Sequence, residues 1–110
     1  MRYKLLGRSG LRVSELALGA MTLGTDWGWG ATKTVSKKIM TAFADAGGNF
    51  IDTSVNYTNG DSARFIGEFL KGQRERFVVA TKYTLRDDHA DKLDPNFGAT
   101  AAKPCCARWT

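Results

Sequence analysis

Three short segments, each apolar until polar residues end it, are separated by stretches with helical spacing, and this alternation constrains the chain more than any other feature. The segments are Leu16-Ala17-Leu18-Gly19, Asn49-Phe50-Ile51-Asp52-Thr53-Ser54 and Phe77-Val78-Val79-Ala80-Thr81-Lys82. The first, mostly apolar, suits a strand buried on both faces. Between the first two, Val35, Ile39, Met40, Phe43 and Ala46 recur at helical intervals, with Lys37, Lys38 and Asp45 off that stripe. Thr34 or Thr32 can cap this helix, and Gly47-Gly48 stops it. Asn59-Gly60-Asp61-Ser62 reads as a turn and cap for a second helix, whose face is Phe65, Ile66, Phe69 and Leu70 and which Gly72 ends. Ahead of all this, Tyr3 to Leu6 and Leu11 to Val13 flank a Gly7-Arg8-Ser9-Gly10 turn and predict a β-hairpin. Hairpin, β, α, β, α, β is the order of an α/β protein with a parallel sheet and right-handed crossovers. A doubly wound sheet and a barrel begin alike. No G-x-G-x-x-G follows the first strand, which favours the opening part of a (β/α)8 barrel.

Composition narrows the function classes. With 110 residues, 43% of them hydrophobic and 25% charged, the chain has the make-up of one small globular domain. No apolar run approaches the ~20 residues of a membrane span, and no signal-peptide pattern follows the basic N-terminus, so a cytoplasmic protein is expected. The net charge is +5, but Lys and Arg are scattered, and even Arg74-Glu75-Arg76 is interrupted by an acid. That argues against nucleic acid as a partner and for a solvated basic surface, of use in attracting a phosphate-bearing cofactor. Cys105 and Cys106 are adjacent, without a C-x-x-C pair or a histidine cluster, so neither a metal site nor a disulfide framework is expected.

The polar strand ends carry the chemistry. Asp52 lies near the end of the second strand, Tyr57 in the loop beyond it, and Lys82 at the end of the third. Neighbouring parallel strands bring such residues to one face, the face where barrel enzymes keep their active sites. A tyrosine, with a reference pKa near ~10, is a reluctant acid at neutral pH. A buried ammonium beside it favours the phenolate, and a carboxylate holds and compensates that ammonium. Together they make a general acid for a carbonyl oxygen that receives a hydride. Taken singly, each residue also has a plain structural reading: Asp52 as a loop cap, Tyr57 packed at a rim, Lys82 as a solvated strand end.

The wording around these residues resembles the aldo-keto reductases. Leu5-Leu6-Gly7-Arg8-Ser9-Gly10-Leu11-Arg12-Val13-Ser14 is similar to their opening hairpin, and Leu16-Ala17-Leu18-Gly19-Ala20-Met21 to their first strand and turn. Ala46-Gly47-Gly48-Asn49-Phe50-Ile51-Asp52-Thr53, Asn56-Tyr57 and Phe65-Ile66-Gly67-Glu68-Phe69-Leu70 follow in family order, then Val78-Val79-Ala80-Thr81-Lys82. The resemblance covers about residues 3 to 100 and implies an NADP(H)-dependent, metal-free oxidoreductase acting on a small carbonyl or alcohol. It implies Tyr57 as proton donor, Lys82 as its partner and Asp52 as the residue positioning that lysine. It also places Gly19, Ala20 and Met21, with Asp52, near the nicotinamide. Trp27 and Trp29 resemble a substrate-pocket loop, although two indoles that merely cover a barrel mouth would look the same. The pattern departs at Ala63, where relatives commonly carry a glutamate that can cap or pair at the surface.

A whole barrel takes about 250 residues, so residues 1–100 read as the hairpin and first three β/α units. The family's further catalytic histidine has no counterpart, since His89 lies in the polar stretch Asp87-Asp88-His89-Ala90-Asp91, and the late-strand phosphate and adenine sites are lacking too. Residues 101–110 lose family character. Read one base earlier with suitable codons, Ala101 to Trp109 can give Arg-Lys-Thr-Leu-Leu-Arg-Ser-Val-Glu, a helix-like continuation, so a frameshifted tail is expected and the nucleotide sequence tests it. Such a shortened chain is expected to be inactive alone and to self-associate through open sheet edges. A non-catalytic interaction or regulatory protein on the same scaffold, or an inert fragment, are the alternative readings.

Overall fold

The computed structural model describes residues 1–82. The expectations for His89, the two cysteines and the tail at 101–110 lie outside them.

Strands β1 (Tyr3–Leu5) and β2 (Arg12–Ser14) form the expected hairpin, with Tyr3 opposite Ser14 and Leu5 opposite Arg12. The Leu6 N–H donates to the Leu11 carbonyl at 2.8 Å to close it. Asn49 anchors its open end. The Ser14 N–H donates to Asn49 Oδ1 at 2.7 Å, and the Asn49 N–H returns a bond to Ser14 Oγ at 3.2 Å.

A second sheet carries the site. Strands β3 (Leu18–Gly19), β4 (Phe50–Asp52) and β5 (Val78–Ala80) run parallel in the order β3-β4-β5. Leu18, Ile51 and Val79 share one register row, and Gly19, Asp52 and Ala80 the next. Successive side chains of a strand point to opposite faces, so the two rows divide the sheet's duties. The first row packs under helices α1 (Lys33–Asp45) and α2 (Asp61–Leu70), where Ile51 joins Ala20, Leu23, Met40, Ile66, Leu70 and Phe77 in the core. The second row faces away from the helices and ends in the polar residues.

Three local expectations are corrected. The first strand is only two residues long, and Leu16 is 66% exposed, so it is not buried on both faces. The Ser14 hydroxyl donates to the Leu16 carbonyl at 2.7 Å and bends the chain outward before β3 begins. In α1 the buried face runs Ser36, Met40, Phe43, Ala44, while Val35 and Ile39 stay exposed on the flank. Ser36 is drawn inward because its hydroxyl reaches the Ala31 carbonyl at 3.2 Å. Of the two candidate caps Thr32 is the one used, accepting from the Val35 N–H. At α2 neither Asp61 nor Ser62 caps. Gly60 precedes the helix in the left-handed region, and Thr58 Oγ1 accepts the Ser62 N–H at 3.1 Å. Ala63 is 3% exposed, so the position is buried among core residues and is not available for a surface pair. Among the described residues no helix is long and apolar enough to cross a membrane.

Candidate active site

The β4–β5 ladder continues past both strand ends. The Thr53 N–H donates to the Ala80 carbonyl at 2.8 Å and the Val55 N–H to the Lys82 carbonyl at 3.1 Å. This brings Lys82 abreast of the loop after β4. Two residues beyond Ala80, Lys82 returns to the row that carries Asp52.

There the ammonium is the centre of a small cluster. Lys82 Nζ donates to Asp52 Oδ1 and Oδ2, both at 2.9 Å, to the Thr53 carbonyl at 3.0 Å and to the Tyr57 hydroxyl oxygen at 3.4 Å. It also lies 5.1 Å from the centroid of the Tyr57 ring, within cation–π range. Burial pulls the Lys82 pKa down, but the hydrogen bonds with Asp52 and Tyr57 outweigh it and hold the ammonium above its ordinary value. Lys82 is therefore a cation at neutral pH. It is not the buried cation the sequence suggested: the Lys82 and Asp52 side chains are 40% and 41% exposed, because this face of the sheet is open to solvent among the described residues.

Asp52, Tyr57 and Lys82 thus converge. The turn after β3 lies beside them, since Gly19 is the register partner of Asp52 and the Ala20 N–H donates to the Asp52 carbonyl at 2.9 Å. Gly19 and Met21 are exposed. Ala20 is fully buried, with its carbonyl accepting the Ser62 hydroxyl at 2.7 Å, so it shapes the turn from beneath and has no surface to offer a ligand.

Trp27 and Trp29 sit in a loop closed on itself. The Gly24 N–H donates to the Ala31 carbonyl, and the Ala31 N–H to the Thr22 carbonyl, each at 2.8 Å. Gly30, at φ +120°, must be glycine, for a Cβ there would overlap the Gly24 carbonyl oxygen. The two indoles are 38% and 56% exposed, tilted at 44° with centroids 6.3 Å apart. This loop is fastened to the turn that begins at Tyr57 by bonds from Thr58 Oγ1 to the Leu23 carbonyl and between Asn59 Nδ2 and Asp26 Oδ2.

Sequence reasoning missed the layer beneath. Thr53, Thr58 and Ser62 are all fully buried. The Thr53 and Ser62 hydroxyls lie 3.0 Å apart, and Ser62 donates onward to Ala20, so its own proton is spent and Thr53 is the donor. Hydroxyls of Ser and Thr at strand ends are ordinarily solvated. The available signal was their density, with Thr53, Ser54, Thr58 and Ser62 following one catalytic candidate and surrounding another.

A parallel α/β sheet that gathers lysine, tyrosine and aspartate at its carboxyl edge fits part of an α/β barrel, the fold that keeps its active site at that edge. The chain is a member of the aldo/keto reductase family, whose model matches residues 15–105. It is 39% identical to the aryl-alcohol dehydrogenase GME11368 of Pestalotiopsis microspora, over 93% of this chain and 28% of that protein. With an NADP(+) aryl-alcohol dehydrogenase of Phanerodontia chrysosporium the identity is 49%, over 69% and 21% of the two lengths. Among solved structures, the holo form of an aldo-keto reductase from Bacillus halodurans superimposes with a TM-score of 0.82 at 33% identity, covering 99% of this chain and 36% of that one. The chain spans less than a third of the length of these two aryl-alcohol dehydrogenases.

Proposed function

We propose that this chain carries the proton-donating centre of an NADP(H)-dependent reductase for a small carbonyl compound, or of the reverse oxidation of its alcohol. The observation that carries the reading is the Lys82 ammonium held between the Asp52 carboxylate and the Tyr57 hydroxyl. The NADP(+) in the name of the Phanerodontia chrysosporium relative supports the cofactor.

The residues present fit the nicotinamide end of that cofactor. A Cβ at Gly19 would meet no atom within 4 Å, so the glycine leaves a flat backbone surface beside the Asp52 row, with exposed Met21 at its rim. When bound, the reduced nicotinamide supplies the hydride. Tyr57 donates its hydroxyl proton to the carbonyl oxygen as that oxygen becomes an alkoxide. Lys82 stabilises the negative charge left on the tyrosine oxygen, and it can do so only while Asp52 keeps it in place. Trp27 and Trp29 offer apolar surface for the substrate.

A hybrid tests this reading: residues 1–82 replacing the matching segment of the Phanerodontia chrysosporium relative, assayed for NADPH-dependent aldehyde reduction. Tyr57→Phe in the hybrid should lower kcat by at least about a hundredfold, the lower end of what a positioned proton donor contributes, and leave NADPH binding intact. Near-normal turnover would remove Tyr57 from the role.

A further inference from the structure

Thr58, immediately after the proposed proton donor, has a backbone that its side chain should resist. Its φ and ψ are 48° and 43°, and Asn59 follows at 53° and 34°, two consecutive non-glycine residues in the left-handed region. A β-branched residue there is an outlier and persists only where its surroundings over-determine it. The surroundings are three hydrogen bonds to one buried oxygen. Thr58 Oγ1 accepts the Ser62 N–H at 3.1 Å, and its single proton lies between the carbonyls of Leu23 and Tyr57, each 2.8 Å away. Those partners belong to the start of α2, the tryptophan loop and the proton donor itself.

We infer that Thr58 is a positioning residue, whose hydroxyl holds the left-handed turn and thereby fixes Tyr57 over Lys82 and couples it to the Trp27–Trp29 loop. The inference rests on the catalytic reading of Tyr57 for its purpose, but not for its geometry. Among the described residues the Tyr57 hydroxyl bonds only to Lys82, at a long 3.4 Å, so the backbone on either side of Tyr57 supplies the precision that this bond lacks. On the far side the Tyr57 N–H donates to the Ser54 carbonyl at 3.3 Å. On the near side stands Thr58. Asn59 continues the hold by pairing with Asp26, three residues beyond Leu23.

The test uses the 110-residue chain labelled with 3-fluorotyrosine, whose three tyrosines give three fluorine signals, with that of Tyr57 identified by its loss in Tyr57→Phe. An ammonium 5.1 Å from the ring should make this signal shift on Lys82→Met. Thr58→Gly deletes the hydroxyl while suiting a positive φ, and is expected to move the Tyr57 signal and cut its response to Lys82→Met by at least half. Thr58→Ser should keep both as in the parent, and 5-fluorotryptophan signals of the tryptophan loop should move in the glycine variant only. A Tyr57 signal and lysine response unchanged in Thr58→Gly would overturn the assignment. So would a serine variant as impaired as the glycine one, or loss of the whole fold by circular dichroism in Thr58→Gly, which would make the hydroxyl's role global. Reduction by the Tyr57→Phe hybrid bears on the catalytic reading alone, so the two ideas fail separately.

Discussion

An ammonium has three protons, and Lys82 spends them on a carboxylate, a carbonyl and a phenol. Its pKa is raised, so the interaction stabilises the folded chain fully below the lysine's unfolded value, near 10.5, and is lost as pH climbs through the higher folded value. Because the side chain is 40% exposed, water screens the pair and the contribution is modest. Thermal unfolding compared between the parent chain and Lys82→Met should therefore show a Tm difference that is constant from pH 7 to 9 and shrinks above about pH 10.5. A difference that instead widens at alkaline pH would mean that the ammonium is not held by these partners. At this scale the shared face of Asp52 and Lys82 was legible because parallel strand ends lie side by side, while Tyr57, in the loop beyond, stood out by the resemblance of the wording around it. Thr58 and Ser62 were not, since a hydroxyl's value depends on whether the fold buries it, and no spacing rule states that.

The elements were legible where period and punctuation agreed. The hairpin, the second and third parallel strands and the face of α2 match their patterns, and Gly72 ends α2 as read. The buried face of α1 did not follow hydrophobicity alone, because Ser36 found a partner in the Ala31 carbonyl and displaced Val35 and Ile39 to the flank. That displacement has a measurable consequence. Ile66 is fully buried between α2 and the sheet, so Ile66→Ala removes three buried carbons and should cost about 2–5 kcal/mol. Val35, at 45% exposure, lies outside the core, and Val35→Ala should change stability by no more than about 0.5 kcal/mol. Urea unfolding of the two variants separates these outcomes. Equal losses would place Val35 in the core and restore the simpler stripe.

At the scale of the molecule, the sheet stands as an incomplete surface. Among the described residues β3 and β5 are its edge strands, and open edges are templates for further strands. The row facing away from the helices adds an apolar component, since Phe50, Val78 and Ala80 are only half-buried and Met21 is 46% exposed. On the hairpin Leu5, Leu6 and Leu11 are exposed as well, at 54%, 40% and 48%. In a closed barrel, side chains from all eight strands fill the interior that this row faces. Among the described residues this row stays partly exposed, and each buried Å² forgone is worth roughly 25 cal/mol. A second copy supplies both a strand for the edge and an apolar face for the row. We therefore expect the 110-residue chain to associate as its concentration rises, and to show no steady NADPH oxidation with an aldehyde panel, because water reaches the Lys82–Asp52 pair. Sedimentation velocity from about 1 to 100 μM measures the first and absorbance at 340 nm the second. A charge introduced on the apolar row, Val78→Lys, should shift the association to higher concentration without disturbing the helix-facing row. A chain that stays monomeric across that range, with a sharp cooperative melt, would be a domain in its own right and overturn the first expectation, while steady NADPH oxidation would overturn the second.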